Sequence, residues 1–186
     1  AGGGGILMTS MAVDAGTFTA GANTIAITGD LSGADTFIGG AAAIDIDGDV
    51  TVTTFTAASG VNTTTVGGDF TPGAFGANGG TMVFDGTAGS TIAAGTFTYN
   101  NVEINANKNA APGTFTITGT LNLGGTGALD LASNNTALDV TGITTNQGVI
   151  TGGLANLLFR NNYNGGTGSL TGAGPDFTTQ FLLNAT

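Results

Sequence analysis

Apolar residues stand two apart at Ile25 and Ile27, with Ala26 between them and a Gly29-Asp30 corner just beyond. The same short word returns along the chain. Its second apolar residue recurs at Met8, Ile27, Ile46, Val66, Phe84, Ile104, Leu123, Val140 and Phe159, never fewer than seventeen nor more than twenty places apart. Two places earlier stand Ile6, Ile25, Ile44, Thr64, Met82, Val102, Leu121, Leu138 and Leu157, of which only Thr64 is polar. Alternation of this kind predicts short strands with one face buried. A nearly fixed step, of about 19 residues, predicts that the strands stack as successive coils of one array.

A second ladder follows about half a coil later. Phe18, Phe37, Phe55, Phe75, Phe97 and Phe115 recur at nearly the same step, and their place is expected to pass to Leu131, Val149 and Leu170. Most of these phenylalanines have threonine or small residues on both sides, as in Gly16-Thr17-Phe18-Thr19. Phenylalanine inward and threonine outward suits a half-buried strand, since both favour β structure. Two ladders at one period predict coils of two or three short strands joined by glycine corners, where glycine takes positive φ without steric cost. No window carries the period of a helix. The expected fold is all-β: a parallel β-solenoid of about nine coils, each roughly 19 residues, forming a rod roughly 40 Å long at the ~4.8 Å spacing of paired strands.

Residues 1–5 are expected to form a flexible glycine-rich arm, and 6–186 one solenoid domain, most regular over 16–145. Ile6 to Val13 reads as a first strand that is apolar on both sides, which calls for cover on both faces, by a second subunit. Left-handed hexapeptide coils are of similar length but require a strict step of six. Ile27, Leu31, Phe37 and Ile44 step by four, six and seven, so the right-handed form is preferred.

The stretch Gly95-Thr96-Phe97-Thr98-Tyr99-Asn100-Asn101-Val102-Glu103-Ile104-Asn105, with Thr116-Ile117-Thr118-Gly119-Thr120-Leu121-Asn122-Leu123, resembles the repeats of large secreted bacterial β-solenoid proteins of the adhesin and passenger-domain type. The resemblance spans roughly residues 16–145. It implies a right-handed parallel β-helix and a role as surface stalk, adhesin or filament.

Composition narrows the partners. Two basic residues, Lys108 and Arg160, stand against twelve acidic ones, for a net charge of −10. Nucleic acid and anionic membrane surfaces both need several cations and are excluded as partners. No apolar run is long enough for a transmembrane helix, so membrane insertion as a helix is not expected. There is no cysteine, so no disulfide holds the fold. Low charge with abundant threonine, asparagine and glycine is typical of extracellular structural proteins, which places the expected location outside the cell or on its surface.

Candidate chemistry is sparse. Asp30, Asp49 and Asp69 each lie three places after a ladder position. Stacking would align them about 5 Å apart, where like charges repel by about 1 kcal/mol per neighbouring pair in water. Calcium is the cofactor such oxygen ligands would take; solvated corner residues are the plainer reading. Asp45-Ile46-Asp47-Gly48-Asp49 imitates a calcium loop, but its glycine precedes the third acid and Ile46 points inward. Gly124 to Leu131 approaches a calcium-binding nonapeptide once only. With no histidine and no cysteine, an enzyme is not expected. Asn62-Thr63-Thr64, Asn134-Asn135-Thr136 and Asn184-Ala185-Thr186 match the glycosylation sequon, as chance allows in such a composition. Outward Thr17/Thr19, Thr96/Thr98 and Thr114/Thr116 suggest a hydroxyl face, broken at Thr36-Phe37-Ile38 and Ala74-Phe75-Gly76.

The ends carry the sharper signal. Ile6, Leu7, Met8, Met11 and Val13 at one end, and Phe177, Phe181, Leu182 and Leu183 at the other, form uncharged apolar segments. Open solenoid edges are normally blocked by charges or caps. Uncapped apolar ends favour head-to-tail contact with a second copy, and a contact that does not close makes a filament. The expected function is therefore an extracellular structural homopolymer. The alternatives are an adhesin or other surface-binding module for carbohydrate or ice, a fragment of a longer surface solenoid, and a jelly-roll filament subunit joined by donor strands.

Overall fold

The computed structural model describes residues 4–172 and 179–181. The chain winds as a parallel β-solenoid of about eight turns, with three faces. All strand ladders are parallel, and no helix occurs among the described residues.

The first face is a nine-stranded sheet running in chain order from Ile6–Met8 through Ile25–Ile27 and Ile44–Ile46 to Thr144–Asn146 and Tyr163–Asn164. Its register sets Met8, Ile27, Ile46, Val66, Phe84, Ile104 and Leu123 in one inward column, as the period predicts. Here the expectation fails at its last two places. Leu123 pairs with Asn146, whereas Val140 and Phe159 belong to the third face, below Ile117. The cause is a longer coil. A turn over Ala132 to Asn135, with Asn135 at φ 50°, is inserted between second and third faces and carries the step from Leu123 to Asn146 well past the usual period. The Asp130 carboxylate holds that turn, accepting from the Ala132 and Ser133 N–H groups at 2.7 and 3.1 Å.

The third face begins with Thr17–Thr19, Thr36–Ile38, Thr54–Thr56 and Ala74–Gly76. Phe18, Phe37, Phe55 and Phe75 align there as predicted. Their rings stack along the rod axis, 5.3 Å between Phe18 and Phe37 and 5.4 Å between Phe37 and Phe55. The sheet then breaks, and Phe75 reaches Tyr99 of the next sheet through ring contact at 4.8 Å. Beyond the break, the place of Phe115 passes to Leu138 and Leu157, not to Leu131, Val149 and Leu170, which lie on or beside second-face strands.

That second face is built from Met11–Ala12 and Leu31–Ser32, single bridges at Val50 and Phe70, then five strands from Ser90–Ile92 to Ser169–Gly172. Its inward column, Met11, Leu31, Val50, Phe70, Ile92 and Ala110, is a third ladder at the same period. Ile6 to Val13 is therefore not one strand. The chain bends at Thr9-Ser10, so Met8 and Met11 point into the rod from two faces and only Leu7 of Ile6–Met8 points out.

Most inward polar residues are paired inside the rod; Thr144, whose buried Oγ1 has no partner among the described residues, is an exception. Thr64, the exception in the first ladder, is buried and its Oγ1 accepts from the Ala58 N–H at 2.9 Å. Tyr99 donates its buried hydroxyl to the Ala93 carbonyl at 2.7 Å, and burial holds its phenol well above the usual range. Asn146 donates to Tyr163 Oη and the Ser169 carbonyl, and accepts from the Gly148 N–H.

Candidate functional site at the aspartate corner and the coil ends

Between first and second faces three successive coils turn on a Gly-Asp pair. Gly29-Asp30, Gly48-Asp49 and Gly68-Asp69 stack in register, as their spacing predicts. Each carboxylate reaches to the following coil. Asp30 Oδ1 accepts from the Asp49 N–H at 2.9 Å, Asp49 Oδ1 from Asp69 at 2.7 Å, and Asp69 Oδ1 from Thr91 at 2.7 Å. The glycine makes this reach feasible. A Cβ on Gly48 would strike Asp30 Oδ1, and one on Gly68 would strike Asp49 Oδ1. The three carboxylates thus staple successive coils, and their Oδ2 atoms are the ones left for a cation. Among the described residues no group of three or more acids forms a metal-ligand cluster.

Behind this corner lies a residue that the sequence pattern hides. Lys108 is 1% exposed. Its Nζ donates to the Gly67 carbonyl at 2.8 Å, the Thr87 carbonyl at 3.2 Å and Ser90 Oγ at 2.5 Å, which satisfies all three N–H groups. Burial pushes its ammonium below the usual lysine value, while the charges of Asp85, Asp69 and Asp49 push back. The corner therefore has a buried cation within the field of its carboxylates. The run Asn105 to Ala111 reads as polar with no apolar pocket, but its alternation continues the strand period. Asn107 and Asn109 face out, Lys108 and Ala110 face in. That alternation was the available signal.

Outside the corner, Asp45 stands on the outer surface of Ile44–Ile46 with Ile46 inward, as the alternation requires. Burial first, then the charges of Asp47 and Asp85, hold its carboxyl above the usual range. Asp85 is raised too, by burial and Asp47 against the opposing pull of Lys108. Arg160 forms a two-pronged ion pair with Asp139 of the preceding coil, both contacts at 2.7 Å. A shallow groove of about 420 Å³ crosses the second face, lined by Ala88, Gly89, Asn107, Lys108, Asn109, Ala128 and Asp130. It offers amides and one carboxylate over a floor of small residues. Asp130 stays ionised there: burial opposes its charge, but hydrogen bonds from Ser133 and Ala132 outweigh it and lower its pKa.

At the first coil, Leu7 is 76% exposed, Ile6, Met8 and Met11 are half-buried, and Val13 is buried at 6%. Val13 is already covered within the chain and is tied to the following coil, its N–H donating to the Ser32 carbonyl and its carbonyl accepting from the Asp35 N–H. At the other extremity Phe181 is 46% exposed and stacks on Phe159 at 5.4 Å. Phe177, Leu182 and Leu183 lie outside the described residues. No family model, no curated protein and no solved structure matches the chain.

Proposed function

We propose that the protein is a structural building block, a β-solenoid segment whose copies stack end to end into an extracellular filament. The observation that carries this reading is the contrast between terminal and interior coils. The inward positions Ile25, Ile27, Ile44 and Ile46 are at most 1% exposed, whereas Ile6 and Met8, in the same columns, are half-exposed. A further coil is what those side chains lack, and a second copy supplies one. The low charge of the chain and its resemblance to secreted solenoid repeats support the extracellular location. The acids along the sides keep the rods apart laterally, because two surfaces of one sign repel.

Negative-stain electron microscopy across a range of protein concentrations tests the reading. Long fibres of constant width are expected. Isolated rods of one chain length at every concentration would overturn it and leave a surface-binding module as the better account.

A further inference from the structure

Each of the three faces has an edge strand at both extremities. These are Ile6–Met8, Met11–Ala12 and Thr17–Thr19 at one end, and Tyr163–Asn164, Ser169–Gly172 and Thr179–Phe181 at the other. Among the described residues each is paired on one side only. Because every ladder is parallel, head-to-tail stacking offers each edge a strand of the same face running in the same direction. No strand needs to invert or exchange.

The first face specifies the register. One inward column runs unbroken through all its strands: Ile6, Ile25, Ile44, Thr64, Met82, Val102, Leu121, Thr144, Tyr163. The outward column beside it begins at Leu7 and ends at Asn164. The inward groups at the two ends are alike in chemistry. Met8, Met11 and Phe18 are half-buried at one, Tyr163 and Leu170 at the other. Charge opposes their meeting little: among the described residues Asp14 is the sole charged residue in 4–20 and none occurs in 161–172 or 179–181, while Asp176 lies outside the described residues. Most of the net charge of −10 therefore sits along the sides of the rod, away from the ends.

We propose that a second copy seats its first coil on this last coil in continued register, with Tyr163 beside Ile6 of the second copy and Asn164 beside its Leu7, so that all three faces cross the join unbroken. The inference rests on the filament reading and adds the geometry of the contact.

The chain has no cysteine, which allows a clean test. In the double variant Leu7→Cys/Asn164→Cys both sites are exposed and point outward. Within one copy they lie eight coil steps apart, roughly 38 Å at strand spacing, so a disulfide can only join two copies. Across a registered join their Cα atoms are about 5 Å apart, inside the range a disulfide accepts. Mild oxidation followed by a non-reducing gel is expected to give a ladder of covalent oligomers. The control Leu7→Cys/Thr145→Cys, displaced by one coil in the same column, is expected to give at least tenfold less. Circular dichroism matched to the unmodified chain confirms that both variants fold. Fibres without a ladder from the first pair, or equal ladders from both, would refute the register and leave the filament reading standing. Absence of fibres at every concentration removes both.

Discussion

Replacing Asp49 separates a hydrogen-bonding role of the aspartate corner from an electrostatic one. In Asp49→Ala the Asp69 N–H loses an acceptor at 2.7 Å. A hydrogen bond to a charged group contributes about 1.5–3 kcal/mol. The same change removes repulsion from Asp30 and Asp69, about 0.8 kcal/mol per neighbour in water and about half that at physiological salt. The net loss expected for alanine is therefore about 1–2 kcal/mol. Asp49→Asn keeps an acceptor oxygen while removing the charge. Its weaker neutral bond, worth about 1 kcal/mol, is offset by the same relief of repulsion, so a net change near zero is expected. For a chain of this size, alanine should then melt roughly 2–8 °C below asparagine. Thermal unfolding followed by circular dichroism reads the difference. In about 1 M salt the repulsion is screened, so both variants should fall by a similar amount relative to the unmodified chain and the gap between them should persist. Equal melting temperatures for the two variants at low salt would refute the staple. A melting temperature that rises with added calcium, and loses that rise in both variants, would assign the column to metal binding instead.

Other consequences can be checked in the same assay. Lys108→Ala removes three buried hydrogen bonds, although the Thr87 N–H still donates to the Gly67 carbonyl and Ser90 Oγ to the Thr87 carbonyl, and a loss of about 1–3 kcal/mol is expected; unchanged stability would place the ammonium outside the core. The raised carboxyls of Asp45 and Asp85 mean that the folded chain keeps protons the unfolded chain has released. Their stabilising effect is present below the ordinary carboxylate value and is lost as pH rises through the raised values. Asp45→Asn is accordingly expected to raise the melting temperature at neutral pH and to leave it unchanged in acid below the ordinary carboxylate value, by melts at both. Asp130 runs the other way, its contribution disappearing as pH falls through its lowered value. Asp139→Ala removes an exposed ion pair and should lower the melting temperature only slightly, a shift that salt abolishes. If copies join at their ends, the melting temperature of the unmodified chain should rise with protein concentration, as association stabilises the folded form; a constant value across a hundredfold range argues for single rods.

The fold was legible because one physical constraint repeats. An inward position is apolar on most coils, so Ile25, Ile44, Met82 and Val102 betray their column at a glance. The period failed as a guide where one coil grew longer than the rest. Val140 and Phe159 satisfy the apolar template as well as any true member, and only the Asp130-capped turn reveals that they sit on another face. The second-face ladder escaped because at Val50 and Phe70 the strand shrinks to a single bridge, leaving no alternation to read. Lys108 escaped for a different reason. A lysine is expected in water unless three acceptors await it, and those acceptors come from Gly67, Thr87 and Ser90, far from it in sequence. The aspartate column was legible in register but not in role, since the bond runs from a side chain to the main chain of the next coil.

What this chain repeats bears on what it does. A surface that recognises an extended ligand needs the same outward groups on successive coils. The outward column of the first face runs Leu7, Ala26, Asp45, Thr65, Val83, Glu103, Asn122, Thr145, Asn164, with no two neighbours alike. On the third face Thr17, Thr36 and Thr54 align over three coils and then give way to Ala74. Inward, by contrast, the columns stay apolar on most coils, and the Gly-Asp corner binds three successive coils each to the next. In a solenoid every coil is stabilised by the two beside it, so whatever favours stacking at the middle favours it equally at an uncovered end. The chemistry repeated most consistently along this chain is the apolar stacking of one coil on the next, and that is the property the proposed filament draws on.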